Sequence, residues 1–232
     1  MQIGSKKWKN VIFNGAKDLE IQIDREKIDQ FGIHASELFK WSRKTNLTAI
    51  SDPLEVAVKH FLDSIAPVPF ISPHTSLLDM GSGGGFPGIP LKIMIPSLSV
   101  TLIDASRKKI SFLRQVIRIL GLDNIEACHV RAQDLSKDRR VNNTYDVIIS
   151  RALSSMINFV QMSLPLLAKD GFIIAMKGKI TDMEIESALS LIKKSSDIQG
   201  NSMNSFNMVL KKYRLPYLKS QRSIVILKSV LK

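Results

Sequence analysis

"MGSGGGFPGIPLK", residues 80–92, crowds Gly81, Gly83, Gly84, Gly85 and Gly88 into one short run directly after the apolar "SLLD". Two glycine registers overlap in it. Gly83, Gly85 and Gly88 spell the G-x-G-x-x-G of a dinucleotide-binding turn. Gly81, Gly83 and Gly85 spell G-x-G-x-G, a loop that serves methyl-transfer cofactors. Both follow a first strand and cradle an adenosine-bearing molecule, so the neighbouring residues have to decide between them.

A pyrophosphate rests on the free amides of a helix start. Here the helix start contains Pro87 and Pro90, and each proline lacks an N–H. Asp79, in the strand before the loop, would repel a phosphate and attract a cation. Phe86 adds bulk suited to an adenine or an apolar contact. S-adenosyl-L-methionine carries an ammonium, a sulfonium and no phosphate, so the surroundings favour it over NAD. The glycines alone would equally serve a tight structural turn.

Outward from the loop, strand and helix patterns alternate. "SLLDM" (76–80), "VTLID" (100–104), "IEACHV" (125–130), "DVIISR" (146–151) and "GFIIAMKG" (171–178) read as strands. "RKKISFLRQVIRILGL" reads as a helix with Ile110, Leu113, Ile117 and Leu120 inward, closed by Gly121. Further helices are expected through "MINFVQMSLPLLA" and over 181–195. The last two strands, near "SFNMVLKKYRL" and "SIVILKS", are joined only by the basic "PYLKSQ". That connection leaves no room for a crossover helix, so they form an antiparallel hairpin. The fold class is α/β: a mostly parallel, seven-stranded, Rossmann-like sheet of the class I methyltransferase type, with a terminal antiparallel hairpin. A nucleotide oxidoreductase sheet would continue with another helical crossover.

Before the sheet, residues 1–65 form an N-terminal helical extension, and 66–232 form the methyltransferase-type domain. The first dozen residues read as a loose tail. Asp24 caps a helix carrying Leu38, Trp41 and Leu47 on its apolar stripe. Asp52 caps the next, with Pro53 at its first position and Glu55 three residues after the cap. Leu54, Val58, Phe61, Leu62 and Ile65 follow at helical spacing. The three prolines of "APVPFISPH" (66–74) mark the boundary.

The chain has 232 residues, 44% of them hydrophobic, enough for a proper core. Its 33 Lys and Arg outnumber 21 Asp and Glu, giving a formal charge of +12, which suggests a polyanionic partner, nucleic acid or an anionic lipid surface. The bias is local: residues 201–232 hold Lys211, Lys212, Arg214, Lys219, Arg222, Lys228 and Lys232 and no acid. A second cluster carries Arg107, Lys108, Lys109, Arg114 and Arg118. The single cysteine, Cys128, excludes an intramolecular disulfide, and no metal-ligand spacing occurs. With no secretory pattern at the N-terminus and no apolar run long enough to span a bilayer, the expected setting is cytoplasmic.

Other candidates lie at strand ends. Asp104, about 20 residues past the loop, suits ribose hydroxyls or the start of the next helix. Gln133 suits an adenine edge or plain solvent. Arg151 suits an anionic group or an ion pair. His60, on an amphipathic helix, reads as structural or RNA-contacting rather than catalytic. His34, His74 and His129 look unremarkable.

Together "KWSRKTNLTAISDPLEVAVKHFLDSI", "LLDMGSGGGFPGIPLKI", "FLRQVIRILGLDNIE", "IISRALSS" and "AMKG" resemble the bacterial 16S ribosomal RNA small-subunit methyltransferase G family, also called glucose-inhibited division protein B. The resemblance runs from about residue 35 to the terminal hairpin. It implies methylation of N7 of a guanine in 16S ribosomal RNA, with S-adenosyl-L-methionine as donor and the RNA, the small subunit or its precursor as partner. Carried over residue by residue, it implies cofactor contacts at Gly81, Phe86, Ala132, Gln133 and Arg151, beside Gly83 and Asp104 from the loop reading. No metal and no catalytic side chain are assigned, and a monomer suffices. Two departures stand out: Gln133 where the family often has Glu, and "ASRKK" (105–109) where it tends to read S-x-G-K-R. Two other readings remain open at this stage: a non-catalytic RNA-binding or assembly protein, and a small-molecule methyltransferase.

Overall fold

The computed structural model describes residues 1–45, 47–135, 137, 144–151, 155–178, 180–181, 183–187, 190 and 204–231. Helices α1 (Lys6–Asp18) and α2 (Arg25–Thr45) open the chain. A second helical stretch joins α3 (Pro53–Glu55), π-helical Val56–Leu62 and α4 (Asp63–Ile65). The strands are β1 (Ser76–Met80), β2 (Ser99–Asp104), β3 (Ile125–His129), β4 (Tyr145–Ser150), β5 (Leu167–Lys177), β6 (Asn204–Arg214) and β7 (Gln221–Leu231). Between them lie α5 (Gly88–Met94), α6 (Arg107–Leu120), α7 (Ala132–Leu135) and α8 (Met156–Ser163).

One seven-stranded sheet has the order β3-β2-β1-β4-β5-β7-β6. β1 to β5 pair in parallel, while β7 runs antiparallel to both β5 and β6. The expected parallel sheet and terminal hairpin are both present. Strands covered on both faces need apolar residues at consecutive positions, and β4 supplies them: Val147, Ile148 and Ile149 are all fully buried. Alternation sends Leu77, Val147, Ile149 and Ile174 to one face. Leu78, Ile148, Ile173 and Leu227 go to the other, where α8 places Phe159 and Val160.

The first face is covered by the N-terminal helices. Trp8, Phe31, Leu38, Phe61 and Leu62 share one apolar cluster with the sheet residues. Asp52 caps α3 as expected, its Oδ1 accepting from the Glu55 amide at 2.8 Å. Gly121 closes α6 in the left-handed conformation.

The loose tail was a misreading. Residues 6–18 form α1, with Trp8, Ile12 and Ala16 buried on one face. Four lysines in this helix obscure that four-residue period. The Trp8 indole meets Phe61 edge to face and donates to the Pro53 carbonyl at 2.9 Å. The π turn was also unforeseen. Within it Phe61 and Leu62 are completely buried, and the His60 ring stacks on Phe86. Of the helix expected over 181–195, residues 183–187 are helical and most of the rest lie outside the described residues. Among the described residues no helix is long and apolar enough to cross a membrane.

Because Trp8 anchors the start of the chain in the core, Trp8→Ala should destabilise the fold by about 3–5 kcal/mol. Urea unfolding reads this directly. A change below about 0.5 kcal/mol, the range of an ordinary surface substitution, would return α1 to the status of a tail.

Candidate active site

In an open α/β sheet, ligands bind beyond the carboxyl ends of the strands, where the strand order reverses. Here that point lies between β1 and β4. Register brings the candidates to the same edge: Met80 pairs with Ile103, Asp104 with His129, and Asp79 with Ile149. The Ser150 hydroxyl donates to the Met80 carbonyl at 2.7 Å and locks β4 to β1 there.

The glycine loop turns immediately beyond β1. Gly81, Gly83 and Gly85 have φ of 76°, 57° and 89°, the left-handed region that favours glycine. Gly88 is not among the positive-φ glycines. Its need is different: a Cβ there would lie 2.3 Å from Leu102 Cδ2 and 2.8 Å from Asp79 Oδ2. The backbone therefore reads the earlier register, Gly81-x-Gly83-x-Gly85. The amides of Gly81 and Ser82 both donate to the Ile103 carbonyl, at 2.9 and 3.0 Å, tying the loop to the end of β2.

Two carboxylates hold this loop from below and beside. Asp79 is fully buried, and its Oδ2 accepts from the Gly88 amide at 2.9 Å. Burial raises its pKa to about 7. Asp79 thus lies beneath the helix start, and the expected direct pull on a cationic group does not follow from this placement. Asp104 accepts from the Gly83 amide at 3.1 Å and from the Ser106 amide at 2.8 Å, with Lys109 at 3.5 Å. It joins the loop to the start of α6. Ala132 and Gln133 open α7 just beyond β3.

The loop fits S-adenosyl-L-methionine better than a dinucleotide. At the start of α5, the Gly88 amide is taken by Asp79, Ile89 donates to Gly85, Leu91 donates to Pro87, and Pro90 has no N–H. A diphosphate would meet a carboxyl group and no free amide. Over the loop, a Cβ built on Gly81 meets no described atom within 4 Å, and one on Gly83 meets only the Gly81 carbonyl at 3.8 Å. A bare backbone surface of this kind admits close approach by a ligand.

Phe86, at the loop's end, is 5% exposed. The imidazoles of His34 and His60 lie nearly parallel to its ring, with centroids at 4.8 and 4.6 Å, and Phe61 meets it edge on at 5.3 Å. Its ring is packed inward and is no platform for an adenine. Arg151, just past β4, stands 5.1 Å over the same ring. Its Nη1 donates to the Lys59 carbonyl at 2.7 Å, and its Nη2 lies 3.3 Å from His60 Nδ1. Arginine only donates, so His60 Nδ1 accepts, and Nε2–H donates to Thr48 Oγ1 at 2.9 Å. Burial, with Arg151 adding to it, lowers the His60 pKa to about 3. His60 is therefore neutral, engaged on both nitrogens and unsuited to proton transfer. His34, passed over in the sequence, proves to be a core residue touching the loop itself.

Asp63 gathers the other side of the site. It accepts from the Tyr213 hydroxyl at 2.7 Å and faces Arg222 at 3.4 Å and Arg151 at 3.7 Å. Asp63, Arg151 and Arg222 also line a cleft of about 350 Å³ with Ile50, Lys59, His60, Met176 and Lys177. A second cleft of about 440 Å³, with Lys212 and Arg214 on its wall, shares Gly178 and Arg222 with the first. Sequence reading missed Asp63 and Tyr213 because their partners lie some 150 residues apart in the chain.

A family model described as "rRNA small subunit methyltransferase G" matches residues 27–228. The chain belongs to this family. A relative so named from Geotalea uraniireducens is 41% identical over 96% of this chain and 97% of its own length. Another, from Geobacter sulfurreducens, is 39% identical over 93% and 94%. Solved structures share the fold at low identity. A SAM-dependent methyltransferase from Aquifex aeolicus is 17% identical, with TM-score 0.55 over 80% of this chain and 98% of that one. TYW2 from M. jannaschii in complex with AdoMet is 16% identical, with TM-score 0.56 over 74% and 76%. Both place the class I methyltransferase fold on this family member.

Gly81 and Gly88 should separate under substitution. Gly81→Ala puts its methyl over the loop and should weaken S-adenosyl-L-methionine binding, at a stability cost of about 1–2 kcal/mol for the left-handed backbone. Gly88→Ala collides with Leu102 and Asp79 and should cost about 1–3 kcal/mol of stability. Calorimetric titration beside urea unfolding checks both. Undiminished affinity in Gly81→Ala would mean that the cofactor does not lie over the loop.

Proposed function

We propose that this protein methylates N7 of a guanine in 16S ribosomal RNA, using S-adenosyl-L-methionine, as a cytoplasmic monomer. The observation that carries the reading is the glycine loop, left-handed at 81, 83 and 85, bare above Gly81 and followed by a helix start whose amides are spent on Asp79, Gly85 and Pro87. Family membership supplies the RNA and the reaction class. Residues 66–232 act as the methyltransferase domain, and residues 1–65 as the extension packed against its loop edge.

The residues that would hold the cofactor are Gly81, Gly83, Phe86, Asp104, Ala132, Gln133 and Arg151. Phe86 would contribute through its main chain, because its ring is packed inward. When bound, the cofactor supplies an electrophilic methyl group on a sulfonium. Guanine N7 presents an in-plane lone pair and carries no proton, so the chain need not supply a general base. Its work is to bring two reactants together in a fixed orientation. The neutral, fully engaged His60 agrees with that division of labour.

The clefts beside Asp63 are the natural seat for the RNA. Lys59, Arg151, Lys177 and Arg222 line the first, and Lys212 and Arg214 extend it along the hairpin. Glu55 and Glu184 pair with Lys59 and Lys177 and temper the charge at its rim. Cations in such a groove contact phosphates and make binding depend on salt.

Mass spectrometry of 16S ribosomal RNA from cells with and without the gene tests the assignment. One N7-methylguanine should vanish in the deletion strain and return with the gene. Survival of every N7-methylguanine in that strain would refute it.

A further inference from the structure

We propose that His34, in the helical extension, is a positioning residue for the cofactor loop. His34 is completely buried, 50 positions before the loop in sequence, and its Nε2 lies 2.8 Å from the Gly84 carbonyl. A carbonyl oxygen only accepts, so Nε2 carries the proton and donates. Gly84 is the centre of the turn, between left-handed Gly83 and Gly85. The peptide that His34 holds therefore helps to set the shape of the loop.

Two further observations show that α2 is fitted to the loop. The His34 imidazole packs nearly parallel to Phe86, at 14° between planes. A Cβ on Gly84 would lie 2.9 Å from Leu38 Cδ1, one helical turn beyond His34. Burial lowers the His34 pKa to about 4, so the ring is neutral at ordinary pH and its single N–H stays committed to Gly84. His34 Nδ1 has no partner among the described residues. A polar ring held in an apolar core with one nitrogen unpaired is costly, and among the described residues the bond to Gly84 is its only polar return.

By linkage, a loop held from α2 binds its ligand more tightly, and the ligand in turn steadies α2. The inference rests on S-adenosyl-L-methionine as the ligand of this loop. Its test is calorimetric affinity for that cofactor in the full chain, with wild type as the control for the cofactor reading itself. His34→Phe keeps an aromatic ring and removes the donor. It should weaken cofactor binding about tenfold, with KM for RNA and kcat at saturating cofactor unchanged. His34→Gln, which can still donate to Gly84, should recover most of that loss. If His34→Phe does not fold, hydrogen exchange on the wild-type chain decides: cofactor should slow exchange in residues 30–38. Equal affinity in His34→Phe, or exchange in that segment indifferent to cofactor, would overturn the proposal. A wild-type chain that binds no S-adenosyl-L-methionine would instead overturn the cofactor reading.

Discussion

The chain leaving β1 must turn at once, and it does so by placing Gly81, Gly83 and Gly85 in the left-handed region. Most of the site follows from that constraint. Side chains are strained in such a conformation, so the loop is bare. A bare loop has little apolar surface with which to hold itself, so its shape is imposed from outside. Ile103 holds Gly81 and Ser82, Asp104 holds Gly83, His34 holds Gly84, and Asp79 holds Gly88. The supports come from three places: the end of β2, the N-terminal extension and β1 itself. A loop gripped in this way is organised before a ligand arrives, and pre-organisation spares the ordering cost of binding.

The same supports consume the donors that a phosphate would need. The start of α5 looks in sequence like a place for an anion, with glycines before a helix. In the structure its amides are spent on Asp79, Gly85 and Pro87. Buried beneath them, Asp79 is a carboxyl group with a raised pKa. Cofactor choice is thus settled by hydrogen-bond accounting as well as by glycine spacing.

Much of this was legible in the sequence because it rests on local rules. Strands covered on both faces show as apolar runs, Asp52 and Pro53 announce a helix start, and a short basic link allows only a hairpin. The glycine register was legible for the same reason, through Pro87 and Pro90. What escaped depends on contacts far apart in the chain. The lysines of α1 obscured Trp8. The π turn leaves the spacing of Phe61, Leu62 and Ile65 looking like that of an ordinary helix. His34 and Gly84 are 50 positions apart, and Asp63 and Tyr213 are 150. For Arg151 the anion-facing role and the ion-pair role were both open. The structure directs most of its guanidinium to Lys59, Ser64, His60 and Asp63, which makes it a strut between β4 and the extension as well as a wall of the cleft.

The central claim is that this loop is built for a cofactor without a phosphate. Calorimetric titration of the purified chain with S-adenosyl-L-methionine, and separately with NAD, tests it most directly. The account predicts saturable one-to-one binding of S-adenosyl-L-methionine and no heat of binding with NAD. Saturable binding of NAD, or a folded chain indifferent to S-adenosyl-L-methionine, would contradict it.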